Sequence, residues 1–238
     1  MKDYVLYAQK YPAIIGMLLP SIITAIQLPD FLPQLLNGIH GFASKLCLFI
    51  PVAVVYAAIG YFARQAFRDT SKFLFQFPLF KQDESEMPTT HLLLHTDKRR
   101  LSKSMLDQIS IKVEKDFGIK LLDEAEEKSD LSEAKRTIVD AVGKMRESTR
   151  KNANLQQYNI DFGFCRNYLG ATVYAVAILL VIMIVNIALG IGTWQYTLLA
   201  LIVQLFCGII AFATLKYKGY AYAKSLFNAY LSGKEYEW

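Results

Sequence analysis

The sequence predicts a mainly α membrane protein, with four transmembrane helices and a small cytoplasmic α+β insert between the second and third. Three observations carry that prediction. The 238 residues are 53% hydrophobic with a mean hydropathy of +0.25, above the roughly 45–50% apolar content of an average soluble domain. Four long apolar segments carry no charged residue. Charge is concentrated elsewhere: residues 72 to 166 hold 17 Lys+Arg against 16 Asp+Glu, and the rest of the chain 9 against 5. The formal net charge of +5 therefore sits beside the apolar segments. That placement favours a lipid bilayer as partner over nucleic acid.

A bilayer core about 30 Å thick takes roughly 20 apolar residues of helix, because backbone amides left unpaired in hydrocarbon are too costly. The predicted spans are Tyr11 to Gln27, Leu46 to Ala63, Tyr168 to Leu189 and Trp194 to Leu215. Pro12 and Pro20 interrupt the first, and no small-residue cleavage site follows it, so it reads as a retained span rather than a signal peptide. Lys2 and Lys10 precede span one, Arg64, Arg68 and Lys72 follow span two, Arg166 precedes span three, and Lys216, Lys218 and Lys224 follow span four. The opposite side has Lys45 alone. The positive-inside rule then makes a multi-pass protein of the cell inner membrane with both termini cytoplasmic. The connection Leu28 to Ser44, punctuated by Pro29, Pro33, Gly38 and Gly41, reads either as an interfacial helix or as a re-entrant segment at a pore mouth.

The predicted organisation is residues 1–69 for spans one and two, 70–167 for the insert, 168–215 for spans three and four, and 216–238 for an aromatic cytoplasmic tail. Within the insert, KFLFQFPLF (Lys72 to Phe80) is strand-like and aromatic, with Pro78 confining it to an edge. TTHLLLH reads as a second short strand and IKLL as a third, while the acidic DEAEEKSD reads as a loop. Leu101, Met105, Ile109, Val113 and Phe117 recur every fourth residue and Gly118 stops the helix they define. DLSE (Asp130 to Glu133) opens a second helix. A third, from about Asn154, runs without a break into span three. The tail, rich in tyrosine, reads as a helix that packs on the insert or on a neighbouring subunit.

Chemistry is sparse. No glycine-rich phosphate loop, nucleophile elbow or His-Glu metallohydrolase pair is present, so the chain reads as a non-enzyme without a cofactor. Cys47, Cys165 and Cys207 give no disulfide framework. His91 and His95, on a strand, stand about 13 Å apart, too far to share a metal. Lys98, Arg99, Arg100 and Lys103 gather at a helix N-terminus, where cations and backbone dipoles together suit a phosphate-bearing ligand. A solvated basic turn or contact with lipid headgroups is the alternative.

FQFPLF and MPTTHLLL, between Lys72 and Leu94, resemble part of a bacterial membrane-protein family. The layout resembles transmembrane effectors of nucleotide-signalling anti-phage systems, with the ion-channel effector of the Hailong system as nearest analogue. The resemblance implies a homo-oligomer that senses a nucleotide or oligonucleotide made by a partner synthase and opens a membrane pore. It carries over no functional residue. A membrane-anchored sensor or scaffold that recruits a cytoplasmic partner without conduction is the alternative.

Within the spans, the amides of Asn186 and Gln204 need partners. At about 1.5 Å per residue their depths differ by roughly 9 Å, so they are not expected to bond each other in one chain. They read either as helix-packing contacts or as two levels of a polar face turned toward an oligomer axis.

Overall fold

The computed structural model describes residues 4–27, 52–81, 83–190 and 194–233, with side chains from residue 59 onward in the second stretch. Among them there is no strand. The helices are α1 (Val5–Gln27, opening in π-helical turns over Val5–Lys10), α2 (Val52–Ser71), α3 (Pro88–Leu93), α4 (Lys103–Phe117), α5 (Glu124–Ser129), α6 (Leu131–Ser148), α7 (Ala153–Ala188) and α8 (Trp194–Ser232). They form two compact units. An apolar unit comprises Met1–Phe75 and Gly163–Ala213, and a polar unit Gln76–Phe162 and Thr214–Trp238. Helices α7 and α8 each contribute to both.

Three described helices, α1, α7 and α8, are long and apolar enough to cross a membrane. The fourth predicted span is not supported. In α2 only the 12 residues from Val52 to Ala63 precede Arg64, and at about 1.5 Å each they cover about 18 Å of a bilayer core about 30 Å thick. Residues 46–51 of that expected span, and all of the 28–44 connection, lie outside the described residues. Ile14, Leu18, Ile22 and Ile26 on α1, Val181, Ile184 and Ile187 on α7, and Ile202, Phe206 and Ile209 on α8 are all exposed, as a lipid-facing surface requires. The interior of this unit mixes large side chains, Ile23, Leu169, Leu179 and Leu201, with small residues at the close helix contacts. Ala171 and Ala175 are fully buried, and a Cβ on Gly16 would come within 2.5 Å of Ala171 Cβ. At Gly170 a Cβ would overlap the Phe67 carbonyl and lie 3.0 Å from Ser71 Cβ. Only glycine lets α2 and α7 approach backbone to backbone. The crossing is fixed on one flank by Thr70 Oγ1 and Tyr174 Oη, 3.0 Å apart, and by the Phe67 and Tyr174 rings at 5.0 Å.

The polar unit is helical throughout its ordered elements, so the expected α+β insert is corrected to an α one. KFLFQFPLF continues α2 as a π-helical turn (Lys72–Gln76) and a short helix (Phe77–Phe80). Pro78 lies in the first turn of that helix, where a missing N–H costs nothing. Lys81 closes it in the left-handed conformation, with φ of 51°. In TTHLLLH the preceding Pro88 starts α3, and Leu92 and Leu93 go into the core. An apolar run this short has no periodicity to separate strand from buried helix. IKLL is irregular backbone whose Ile119, Leu121 and Leu122 pack on the core with no strand to pair with. The acidic stretch is not a loop. Asp123 caps α5 in a reciprocal capping box with Glu126. Helices α4 and α6 fall where the periodicity places them, with Ser102 accepting from Met105 N–H, Gly118 ending α4 at φ 67°, and Asp130 accepting from Glu133 N–H, and α7 runs unbroken from Ala153 to Ala188.

The core of this unit joins Leu92, Leu106, Ile109, Val113, Ile138, Val142, Met145 and Leu155 to Ala223, Leu226, Phe227 and Tyr230 of α8. The tyrosine-rich tail is therefore a wall of the core. Buried Glu127 closes the turn after α3 by accepting from the His95 and Thr96 N–H groups, each at 2.8 Å, and from the Thr96 hydroxyl.

Replacing Gly170 with Ala is expected to cost about 1–3 kcal/mol, since backbone rather than side chain must yield. Gly60→Ala, with no described residue within 4 Å of the added Cβ, is expected to be neutral or stabilising by up to about 1 kcal/mol. Thermal midpoints of the two variants in detergent compare them directly, and a Gly170→Ala midpoint equal to that of Gly60→Ala contradicts the close crossing.

Candidate functional site

The first α7 residues and the last turns of α8 form the two sides of an open groove of about 910 Å³ in the polar unit. That is near the upper end of small-molecule sites, which run about 300–1,000 Å³. Its walls are about as apolar as polar and carry amides, Asn152, Asn154 and Gln157 on one side and Asn228 on the other, with Tyr158 and Tyr217 exposing their rings and Lys224 its ammonium. Two of these groups are partly used. Asn152 Oδ1 accepts from Leu155 N–H at 3.0 Å, capping α7, and Gln157 Nε2 donates to Asp161 Oδ1 at 3.0 Å. Asn152 then offers its amide N–H groups, Asn154 and Asn228 can read both donors and acceptors, and the two rings offer stacking faces. The four amides within residues 152–157 were the signal available in the sequence. They lie at a helix start, where amides are ordinarily taken as caps.

None of the four predicted ligand-binding cations lines this groove. Lys98 and Lys103 are exposed. Arg99 is turned onto its own turn: its Nε donates to Asp97 Oδ1 and its Nη2 to Asp97 Oδ2, both at 3.2 Å, and its guanidinium lies 5.6 Å from the Tyr220 ring centre. Arg100 Nη1 donates to the His95 carbonyl. Two of the four cations, Arg99 and Arg100, are thus engaged within their own turn.

Around Arg99 the structure builds a charged chain. His91 Nδ1 lies 2.7 Å from Asp97 Oδ2, and His91 Nε2 lies 3.6 Å from Glu86 Oε2. Lys81 lies 3.4 Å from Glu86 Oε2, and Lys135 binds Glu86 Oε1. With His91 on α3 and already held between two carboxylates, the strand spacing expected of His91 and His95 does not apply. No group of three metal-ligating side chains occurs among the described residues. Burial acts to raise the Asp97 carboxyl, but hydrogen bonds from the Arg99 side chain and backbone and from His91, with the Arg99 charge, outweigh it and hold it at about 2. The Lys135 hydrogen bond likewise holds Glu86 below the usual carboxylate range, against desolvation and with help from Lys81.

In the apolar unit both predicted amides are almost completely buried within one chain. Asn186 Nδ2 donates to Thr197 Oγ1 at 3.2 Å, and Gln204 Nε2 donates to Thr172 Oγ1 at 3.1 Å. Gln27 Nε2 adds a second donor to Thr197 Oγ1, at 3.1 Å. Asn186 Oδ1 has no hydrogen-bond partner among the described residues. The two amides do not meet each other; each ties α7 to α8 at its own level. The threonine acceptors went unnoticed in the sequence because a hydroxyl satisfied by its own helix looks the same there.

Comparisons with protein-family models, with curated proteins and with solved structures found no match to this chain.

Two measurements test these contacts. Because the Asp97 carboxyl is lowered from 3.8 to about 2, its contribution is fully present above about pH 4 and is lost as pH falls through about 2, up to about 2 kcal/mol in all. Asp97→Asn should flatten the thermal midpoint across that window, and a variant retaining the wild-type slope would refute the assignment. In the apolar unit, Asn186→Leu should cost about 0.6–2 kcal/mol by denaturant titration. Thr197→Val, which removes the acceptor of two amides, should cost more, and equal losses would contradict the shared acceptor.

Proposed function

We propose that this chain is a membrane-anchored sensor whose polar unit binds a ligand in the amide-lined groove. The observation that carries the reading is the groove itself: amides, hydroxyls, two exposed rings and one cation converge on about 910 Å³. That chemistry matches a nucleotide or oligonucleotide, whose base edges suit amides, whose faces stack on tyrosine and whose phosphates suit Lys224. Asp161, paired to Gln157, keeps part of the wall unsuited to phosphate. Membrane anchoring is supported by the three apolar helices and their exposed aliphatic faces.

A second reading, a homo-oligomeric channel of an anti-phage system gated by this unit, has one observation in its favour. The groove walls are the same helices, α7 and α8, that continue unbroken as two of the apolar helices. Occupancy of the groove then acts on the spans without an intervening linker. Against a pore lined by Asn186 and Gln204 stands their burial inside one chain.

The test is hydrogen exchange of the full chain in nanodiscs with a panel of linear and cyclic oligonucleotides. Protection confined to residues 153–162 and 217–232, abolished in a Tyr158→Ala, Asn228→Ala double variant, is the expected result. No protection from any member of the panel rejects nucleotide sensing. Ion flux from proteoliposomes with the protecting compound present separates the two readings: flux selects the channel, and its absence the non-conducting sensor.

A further inference from the structure

A second cluster of cations lies in the apolar unit, away from any residue discussed above as a ligand site. Helices α2 and α7 touch backbone to backbone at Gly170, against Phe67 and Ser71. Residues one turn from that contact on the same faces are therefore neighbours. Arg166 stands four residues before Gly170, and Lys72 directly follows Ser71. Arg68, four residues before Lys72, completes the group. The acid of this group is Asp69, which takes the Arg68 guanidinium at 3.3 Å and is itself more than half exposed. Lys72 is half-buried and makes no ion pair among the described residues. Burial first, then the charges of Arg166 and Arg68, push its ammonium below the ordinary lysine value, with Asp69 opposing them.

Three cations held together against one carboxylate repel one another, and a bound anion relieves that repulsion. Arg166 already hydrogen-bonds the Tyr4 side chain and Arg68 the Asp69 carboxylate, so each guanidinium offers its remaining N–H groups, and these with the Lys72 ammonium match the oxygens of a phosphate better than the two of a carboxylate. The residues next to Lys72 add a second constraint. Phe73 and Leu74 follow Lys72 in the same helical turn and are 66% and 46% exposed, so apolar side chains cover the helix faces next to the cationic one. A surface apolar next to the cations and charged at them suits an amphiphile.

We infer that Arg68, Lys72 and Arg166 form a binding site for a phosphate-bearing anion, with Phe73 and Leu74 positioned to meet an attached hydrocarbon. The ligand class is a phosphate mono- or diester. An anionic phospholipid headgroup and a soluble phosphate share that chemistry.

The experiment uses the full chain in nanodiscs of phosphatidylcholine alone or mixed with phosphatidylglycerol, read by native mass spectrometry of retained lipid and by thermal midpoint with inorganic phosphate added. Wild type should retain phosphatidylglycerol over phosphatidylcholine, and Lys72→Met and Arg68→Gln should each weaken that preference roughly fivefold, the factor for one basic group at a membrane surface. Lys144→Met, an exposed cation of the polar unit, should leave it unchanged. Both test variants change exposed or half-buried side chains, and an unaltered helical circular dichroism spectrum confirms their folding. Lipid preference with no response to inorganic phosphate assigns the lipid as the source. A midpoint raised by inorganic phosphate in phosphatidylcholine alone, and lost in Lys72→Met, assigns a soluble phosphate. Equal retention of both lipids with no phosphate response overturns the site, as does a Lys144→Met loss as large as that of Lys72→Met.

Discussion

Two threonine hydroxyls organise the apolar unit. Hydrocarbon offers an amide no water, so Asn186, Gln27 and Gln204 must find acceptors within protein, and Thr197 and Thr172 supply them. Each bond is worth little by itself, yet the alternatives are worse, and this asymmetry fixes rotation about the helix axes. Once α7 and α8 are turned so that these groups meet, the aliphatic residues on their other faces point outward. Gly16, Gly170 and Gly208 then fall where neighbours come close enough that a Cβ would intrude. The outward apolar surface and the close contacts at glycine are two results of the same rotation.

The polar unit is governed by capping instead. Its helices α3 to α6 run from 6 to 18 residues, and helices of this length in water draw much of their stability from their ends and from the core they share. Asp123, Ser102 and Asp130 each accept from backbone N–H groups that would otherwise lack an acceptor. Glu127 does the same for the turn after α3, from inside the fold. Arg99 and His91 are consumed in holding Asp97 and Glu86, which stiffens the approach to α4. Cations committed in this way are poorly placed to meet an external anion, whereas Lys72, which makes no ion pair among the described residues and feels Asp69 only as a nearby charge, is better placed.

Legibility followed length and periodicity. Helices α4 and α6 were readable because Leu101, Met105, Ile109, Val113 and Phe117, or Ile138, Val142 and Met145, repeat at helical spacing over several turns, and α7 because its start continues into an apolar span. The three apolar helices declared themselves by hydropathy. The short elements misled: aromatic Phe73, Phe75 and Phe77 favour strands by propensity, but their segment is an extension of α2, and tertiary continuation overrode local preference. TTHLLLH has too few residues for any period. The basic cluster at Lys98 to Lys103 was visible as composition, but which cations already had partners depended on Asp97, Tyr220 and the His95 carbonyl. The groove depended on bringing residue 154 beside residue 228, a pairing no local pattern encodes.

The composition of the polar core sets an order of events during synthesis. Leu92 to Leu155 cannot be closed over until Ala223 to Tyr230 are present, and the 75 residues from Leu155 to Tyr230 include the apolar lengths of both α7 and α8. At about 5–20 residues per second the ribosome takes roughly 4–15 s to cover that distance. For that interval the faces of α4 and α6 stand open in an aqueous compartment while two greasy helices are threaded into place. A core completed this late in the sequence leaves apolar faces uncovered for longer than one whose residues are contiguous in sequence.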